Sequence, residues 1–370
     1  MKKFAHTAAH AAHAVPAATH QPAKGRAALS NREGRFESLS REAEDDGWGD
    51  FDLPVAARRT TVHVDASRTV ISRNQSPDIP FNQSINPYRG CEHGCIYCYA
   101  RPTHAYLGLS PGLDFETKLF AKPDAAQLLS DEINHADYRC ETIAMGTNTD
   151  PYQPVERQMK VTRGIIEVLA RHRHPLTITT KSGIIERDID LLADMAADNL
   201  VSVYISVTTL NNELARRMEP RAATPQRRLK TVERLRAAGI PTGVLVAPVI
   251  PALNDSELET ILQRAAAAGA QSAGYILLRL PGEVSALFQE WLGEQYPLKA
   301  AHVMSLVRAT RGGRDNDPNF GARMRGQGEY ARLIHQRFNI AVKRLGLNRG
   351  LPKVDATRFR PARGAQTSLL

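Results

Sequence analysis

Three of the chain's four cysteines fall within eight positions, in "CEHGCIYC": Cys91, Cys95 and Cys98. Thiolates are soft ligands, suited to zinc, copper or iron–sulfur clusters. Structural zinc needs four closed ligands, typically as two paired knuckles, and an electron-carrying 4Fe–4S cluster also takes four cysteines. The remaining thiol, Cys140, stands at the start of a strand-like run, "ETIAMGT" (141–147). Such a run spans roughly 23 Å, which puts Cys140 at the opposite end from a cluster on the C-terminal rim. Three thiolates leave one iron of a 4Fe–4S cluster open, and an open iron can bind a substrate or cosubstrate. On these residues alone a zinc site completed by His93 or His104 stays open, as does a non-catalytic zinc or iron–sulfur protein.

The elements that must hold this loop lie downstream. From about 84 to 280, β-branched apolar runs alternate with helical stretches. The strand-like runs are "ETIAMGT" (141–147), "LTITT" (176–180), "LVSVYISV" (200–207), "TGVLVAPVI" (242–250) and "GYILLRL" (274–280). Between them, 161–172, 186–197, 224–239 and 255–269 carry apolar residues at helical spacing. Buried strands alternating with helices imply parallel βαβ units. With a short strand at "SINPYR" ahead of the cysteines, six units are expected. They fit a partial barrel or a doubly wound sheet, and in either the chemistry gathers at the C-terminal strand ends. Those ends are polar: "TNTDPYQP" (147–154), "TTKSG" (179–183), "SVTT" (206–209) with "MEPR" (218–221), and "APVIPALND" (247–255). Hydroxyls, amides and one lysine on a common rim suit a zwitterionic or polyhydroxyl ligand.

The rest of the chain sets bounds. With 42% hydrophobic and 24% charged residues it has a globular composition. Few, clustered cysteines point to a reduced, cytoplasmic setting and not to a disulfide framework. No run of about 18 apolar residues is present, so no membrane span is expected. Residues 1–60 read as a poorly ordered N-terminal region, 61–83 as a lead-in and 84–280 as the core. Residues 281–350 read as a basic helical extension and 351–370 as a flexible tail. Between Lys299 and Leu370 there are 15 Lys/Arg against 4 Asp/Glu, a net +11 that leaves −2 of the total +9 on the remainder. That asymmetry suits a polyanionic partner such as nucleic acid.

C-x-x-x-C-x-aromatic-C, after a short strand and before a βα series, resembles the signature of the radical S-adenosylmethionine (SAM) enzymes. The resemblance implies a partial (βα)6 TIM-like barrel with a helical C-terminal extension. It implies a 4Fe–4S cluster on Cys91, Cys95 and Cys98 whose open iron chelates the amino and carboxylate groups of S-adenosylmethionine. One electron, from a flavodoxin- or ferredoxin-type reductant, then cleaves the sulfonium to methionine and a 5′-deoxyadenosyl radical. That radical abstracts hydrogen from the substrate.

Across 84–280 the chain is further similar to the spore photoproduct lyase family and its "DNA repair photolyase" relatives. The matching segments are "CIYCYA", "TNTD" after the second strand, "TTK" after the third, "ISV" and "MEP" around the fourth, and "VLVAPVI" as the fifth. Carried over by position, Tyr97 flanks the adenosyl site, and Thr147, Asn148 and Asp150 lie beside S-adenosylmethionine. Lys181 and Ser206 face its methionyl end, and Arg221 pairs with its carboxylate. Tyr97 and Tyr99 match tyrosines of a radical relay. One position departs: the lyase family has a hydrogen-donating cysteine where this chain has Thr147. A hydroxyl does not readily give a hydrogen atom to a carbon radical, so thymine-dimer reversal by the same route is not expected. The segments "GRAALSNREGRFES" and "PTHAYLGLSPGLDFETKLFAK" mark a separate subgroup. Its substrate is a nucleic acid or, alternatively, a peptide or small molecule.

Overall fold

The structure, a computed structural model, describes residues 25–36 and 59–362. Four short strands lead to the cysteines: β1 (Thr61–Val64), β2 (Ile71–Arg73), β3 (Gln83–Ile85) and β4 (Tyr88–Arg89). After the cysteine loop come α1 (Leu113–Thr117), β5 (Lys118–Ala121) and α2 (Ala125–Asn134). The repeating part follows: β6 (Ile143–Met145), α3 (Glu156–Met159), α4 (Val161–Arg171), β7 (Leu176–Thr180), α5 (Ile189–Ala197) and β8 (Val201–Ser206). Then come α6 (Asn212–Met218), α7 (Pro225–Ala237), β9 (Thr242–Val249), α8 (Leu258–Ala267) and β10 (Ser272–Leu277). The extension is α9 (Val284–Gln295), α10 (Pro297–Ala309), α11 (Ala322–Arg325) and α12 (Gly328–Arg344).

The main sheet has seven strands in the order β10-β9-β8-β7-β6-β3-β2. From β3 to β10 every pairing is parallel, and β2 adds an antiparallel edge. The six parallel strands stand in strict chain order with no reversal. That is the winding of a partial (βα)6 barrel, and it excludes the doubly wound alternative, whose strand order reverses at a switch point. β1, β5 and β4 form a separate small sheet beside the cysteine loop.

Local sequence explains the elements. β8 and β9 are Val- and Ile-rich and buried along almost their whole length, as strands covered on both faces require. Thr224 caps α7 by accepting from the Arg227 amide, with Pro225 in the first turn, and Asn211 caps α6. One apolar core fills the space between the strands and α4, α5, α7, α8 and α12, with Ile165, Leu192, Val232, Ile261 and Ile334 all buried. A second core joins the cysteine loop to α9 and α10 through Ile96, Tyr97, Met218, Ile250, Phe288 and Trp291.

Two strand ends differ from the sequence reading. β6 stops at Met145 because Gly146, at φ +85, turns so close to β7 that a Cβ would lie 1.9 Å from the Thr179 carbonyl oxygen. β10 stops at Leu277 because buried Arg311 takes the Leu277 and Leu278 carbonyls, at 3.0 and 2.7 Å.

Both presumed loose ends are fixed where they are described. Residues 25–36 pack on the segment after the cysteines. Arg26 donates to the Glu116 carbonyl at 2.7 Å, Asn31 and Asp114 bond each other twice, and Arg35 pairs with Glu283 at 2.8 Å. Residues 351–362 cross the N-terminal strand ends. The Asp355 amide donates to the Asn199 carbonyl and the Arg360 amide to that of His172, both at 2.8 Å, and Arg358 pairs with Asp198 at 2.6 Å. Residues 1–24, 37–58 and 363–370 lie outside the described residues. Among the described residues no helix is long and apolar enough to cross a membrane.

Candidate active site

The cysteine loop leaves β4 on the C-terminal side of the parallel strands and is folded by its own backbone. The Gly94 amide donates to the Cys91 carbonyl, that of Cys98 to Cys95 and that of Arg101 to Cys98, at 3.1–3.2 Å. The loop backbone is tied outward as well: the amides of Cys91 and Ile96 donate to the Phe115 and Met218 carbonyls at 2.9 and 3.0 Å, the Glu92 amide donates to Gln153 Oε1 at 2.8 Å, and the His93 carbonyl accepts the Arg221 amide at 3.4 Å. Arg101, fully buried, donates to the Cys95, Gly94, Pro111 and Gly112 carbonyls and pairs with Glu116. Glu116 in turn accepts the Ala27 and Ala28 amides at 3.2 and 3.0 Å. Gly94 is required between the first two cysteines: its φ is +65, and a Cβ would lie 2.7 Å from a Glu116 carboxylate oxygen.

All four thiols are free; Cys91 and Cys95 are buried, and Cys98 and Cys140 half-buried. Burial pushes the Cys91 thiol well up, with Asp150 and Cys95 adding to it, and pushes Cys95 up to about 12. Thiols so placed ionise only when a cation compensates them. Among the described residues no three His, Cys, Asp or Glu side chains converge closely enough to hold a metal ion as they stand. The fit to a cluster therefore rests on the donor set: three free thiols on one rigidly bonded loop. Cys140 precedes β6 at the other end of the barrel and is no fourth ligand.

The polar strand ends form two networks around this loop. In the first, Asp150 accepts from the Thr180 hydroxyl at 2.7 Å, the Tyr152 amide at 2.9 Å and the Lys181 amide at 2.8 Å. His93 Nδ1 stands 3.3 Å from the same oxygen that accepts the Lys181 amide. Burial alone would raise Asp150, but His93, the Lys181 amide and the Thr180 hydroxyl together hold it at about 2. Asn86, just past β3, accepts from the Asn148 amide at 3.0 Å and the Thr149 amide at 3.3 Å, and so shapes the "TNTD" turn. Thr147 Oγ1 lies 3.4 Å from Asn86 Nδ2, and its carbonyl accepts the Tyr99 hydroxyl.

The second network is built on Glu219. It accepts from the Tyr97 hydroxyl, from Thr208 at 2.8 Å and from the buried guanidinium of Arg228. Burial opposes its ionisation, yet Arg228, Lys181 and Tyr97 hold it at about 2. The Lys181 ammonium sits 5.9 Å from the Tyr97 ring centre, between the two networks. Ser206 donates to the Ala247 carbonyl at 3.3 Å, closing the β8–β9 end.

Cys91, Cys95, Cys98, Tyr97, Asp150 and Lys181 thus meet on one rim, with Thr147 and Tyr99 joined beside them. Arg221 behaves differently: its side chain pairs with Glu92 at 3.0 Å. His93 binds Asp150 and not loop backbone, while His104 bonds the Lys118 carbonyl at 2.9 Å. Glu219, Arg228, Arg101 and Glu116 are absent from the sequence reading. Glu219 lies inside "MEPR", whose pattern does not mark it as buried; the others carry no spacing signal, since their partners are 9 to 15 positions away.

Residues 85–265 match the radical SAM superfamily. Over 232 residues the chain is 42% identical to the uncharacterised protein Rv2578c of Mycobacterium tuberculosis, covering 62% of this chain and 68% of that one. The chain belongs to the radical SAM superfamily. It is also similar to the uncharacterised protein MJ0683 of Methanocaldococcus jannaschii, 28% identical over 173 residues, covering 47% of this chain and 62% of that one. Among solved structures it resembles a spore photoproduct lyase variant with bound AdoMet and dinucleoside spore photoproduct. The TM-score there is 0.54 at 14% identity, over 77% of this chain and 78% of that one. That likeness is one of fold. Membership makes this radical SAM protein an enzyme and removes the non-catalytic reading.

Proposed function

We propose that this radical SAM enzyme holds a 4Fe–4S cluster on Cys91, Cys95 and Cys98, cleaves S-adenosylmethionine reductively, and directs the resulting 5′-deoxyadenosyl radical at a nucleic-acid substrate. The observation that carries the reading is the three-thiol loop at the C-terminal ends of six parallel strands, with the fourth thiol at the other end. When bound, the cluster supplies the electron for sulfonium cleavage and an iron free of protein ligands.

The chain's own residues do the rest. Asp150, ionised, fixes the Lys181 backbone, which aims the ammonium over Tyr97 and towards a carboxylate arriving there. Tyr97 has its hydroxyl engaged by Glu219, so it offers a fixed ring face for packing. Tyr99 is 48% exposed and stands next to Cys98, so it is the better placed of the two for radical transfer. Arg221, paired with Glu92, reaches a cosubstrate carboxylate only by exchanging partners. The nucleic-acid half is supported by the basic segment from Lys299 to Leu370 and by the likeness to a lyase solved with bound dinucleoside spore photoproduct. Thr147 stands where that family uses a thiol, so the outcome of the radical step differs. A reductant of flavodoxin or ferredoxin type completes the cycle.

A second reading is favoured by one observation. A cleft of about 630 Å³ beside the cysteine loop is lined by His93, Ser182, Arg157, Arg187, Arg221 and Arg227 against one carboxylate, Glu186, a size and net charge that suit an anionic small molecule. Anaerobic reconstitution followed by assay for 5′-deoxyadenosine, with and without ultraviolet-damaged DNA, tests both. Release stimulated by the DNA supports the first reading; release indifferent to DNA supports the second; no release refutes the radical chemistry.

A further inference from the structure

Of four buried or half-buried arginines near the mouth of the barrel, three make several hydrogen bonds inside the fold, although the buried Nε of Arg311 has no partner. Arg101 donates to four carbonyls and one carboxylate. Arg228 donates to the Ala223 and Ser206 carbonyls and to Glu219. Arg311 binds the carbonyls of Leu277, Leu278, Ala322 and Arg323. The fourth, Arg279, is different. It follows β10, the last parallel strand, and its only hydrogen bond among the described residues is a weak one from Nη1 to the Met324 sulfur at 3.4 Å. Its Nε is buried without a partner. Among the described residues no carboxylate lies within ion-pair distance of it.

Its surroundings make this costly. Arg311 and Arg323 lie close by, and Arg323 is already committed to Asp78 and Ser76. Burial and Arg323 push the Arg279 guanidinium down, and burial together with Arg279 pushes Arg311 down to about 10. Arg325 adds a further cation, lying over the Tyr275 ring at 4.7 Å. Asp78 and Asp317 offset this group of cations only in part: Asp78 is ion-paired with Arg323, and neither lies within ion-pair distance of the Arg279 guanidinium. The position of that guanidinium says where a further anion comes from: it stacks on the Tyr99 ring, 5.5 Å from its centre. Tyr99 is the residue after Cys98, and its hydroxyl is bonded to the Thr147 carbonyl.

The geometry points to Arg279 as a phosphate-binding residue of the substrate site, receiving a phosphodiester of a polynucleotide and so presenting the adjoining nucleoside to Tyr99 and the cysteine loop. The assignment rests on the nucleic-acid reading given above and names the contact that reading lacks. A guanidinium suits the task because its planar fork meets two phosphate oxygens at once, which an ammonium does not. Tyr99, held by Thr147 on one side and stacked by Arg279 on the other, gives the adjoining base an aromatic face.

The test uses the reconstituted enzyme with S-adenosylmethionine, anaerobically, and reads binding of a fluorescein-labelled twelve-residue oligothymidylate by anisotropy over a range of salt. Unlabelled thymidylyl-thymidine, thymidine and inorganic phosphate serve as competitors. Arg279→Ala is compared with Arg279→Lys and with Arg349→Ala, an exposed arginine in the basic region. Expected are a loss of roughly tenfold or more in affinity for Arg279→Ala, and a log–log salt slope smaller by about one. Arg279→Lys recovers the slope but not the full affinity, and the dinucleotide outcompetes thymidine only in the wild type. If wild type binds the strand and Arg279→Ala matches it in affinity and slope, the assignment is overturned while the nucleic-acid reading stands. If wild type ignores the strand but binds inorganic phosphate through Arg279, the phosphate site stands and the nucleic-acid reading falls. Binding of neither probe overturns both. Circular dichroism of each variant keeps a folding failure from counting as a binding loss.

Discussion

Arg101 and Glu116 form an ion pair with no exposed surface directly beneath the cysteine loop. The pair does two jobs. Through Arg101 it takes up carbonyls at Gly94 and Cys95, and through Glu116 it takes up the amides of Ala27 and Ala28. The N-terminal strap and the loop that carries the thiols are therefore fixed by the same two side chains. Removing one partner leaves the other charge buried and unpaired, which costs about 3–5 kcal/mol. Glu116→Ala should lower the free energy of unfolding, read from urea titrations, by that amount and leave reconstituted protein short of iron. A variant with unchanged unfolding and full iron content would show that loop and strap are held by something else.

The four cysteines should sort cleanly. Cys91→Ala, Cys95→Ala and Cys98→Ala should each lose cluster iron and sulfide and abolish release of 5′-deoxyadenosine. Cys140→Ala should retain both, since Cys140 lies before β6, at the end of the barrel away from the loop. Iron and sulfide analysis of the purified variants reads this directly. Retained cleavage in Cys98→Ala would remove the ligand assignment.

The C-terminal tail is tied to a pH dependence of stability. Phe359 packs edge-on against His174, whose Nε2 lies 2.7 Å from the Tyr138 hydroxyl. Burial holds His174 at about 4, with nearby His172 lowering it further and the Pro175 carbonyl opposing. The folded state therefore binds fewer protons than the unfolded state between about pH 6.5 and 4. The contribution of neutral His174 is complete above that window and is lost as pH falls through it, by on the order of 3 kcal/mol. Urea titrations at pH 7 and pH 5 should show a smaller difference for His174→Gln than for wild type. Equal differences would mean that His174 opens to solvent before it protonates.

The parallel barrel was legible because its strands carry their own signal: β7, β8 and β9 are β-branched runs set between amphipathic helices, and they lie within one residue of where the pattern puts them. The cysteine loop was legible because a metal site made from one loop is written at fixed spacing. The supporting charges were not. Arg101 and Glu116 are 15 positions apart and Ala28 is 88 from Glu116, so only the tertiary fold brings them together. Residues 25–36 looked unstructured because their order comes from hydrogen bonds to partners elsewhere and not from a hydrophobic period. The same holds for the tail, whose anchors are Asn199, His172 and Asp198. Arg221, assigned to a cosubstrate carboxylate by position within the family resemblance, has a protein partner in Glu92.

Glu219 is the residue on which these missed contacts converge, and its removal makes the sharpest test of the rim. Its carboxylate is ionised and buried, and it answers Arg228 by direct contact and Lys181 through space. Glu219→Gln keeps the shape and an acceptor for the Tyr97 hydroxyl but removes the charge. Arg228 is then buried without an anion, so stability should fall by about 3–5 kcal/mol. The double variant Glu219→Gln/Arg228→Met should recover much of it, with a coupling energy above about 1 kcal/mol in the double-mutant cycle. Lys181 also loses one of the anions that hold its ammonium in place, so S-adenosylmethionine cleavage by the single variant should drop more than its folded fraction explains. Additive stability losses, with cleavage tracking folded protein, would show that Glu219 supports the fold without shaping the cosubstrate site.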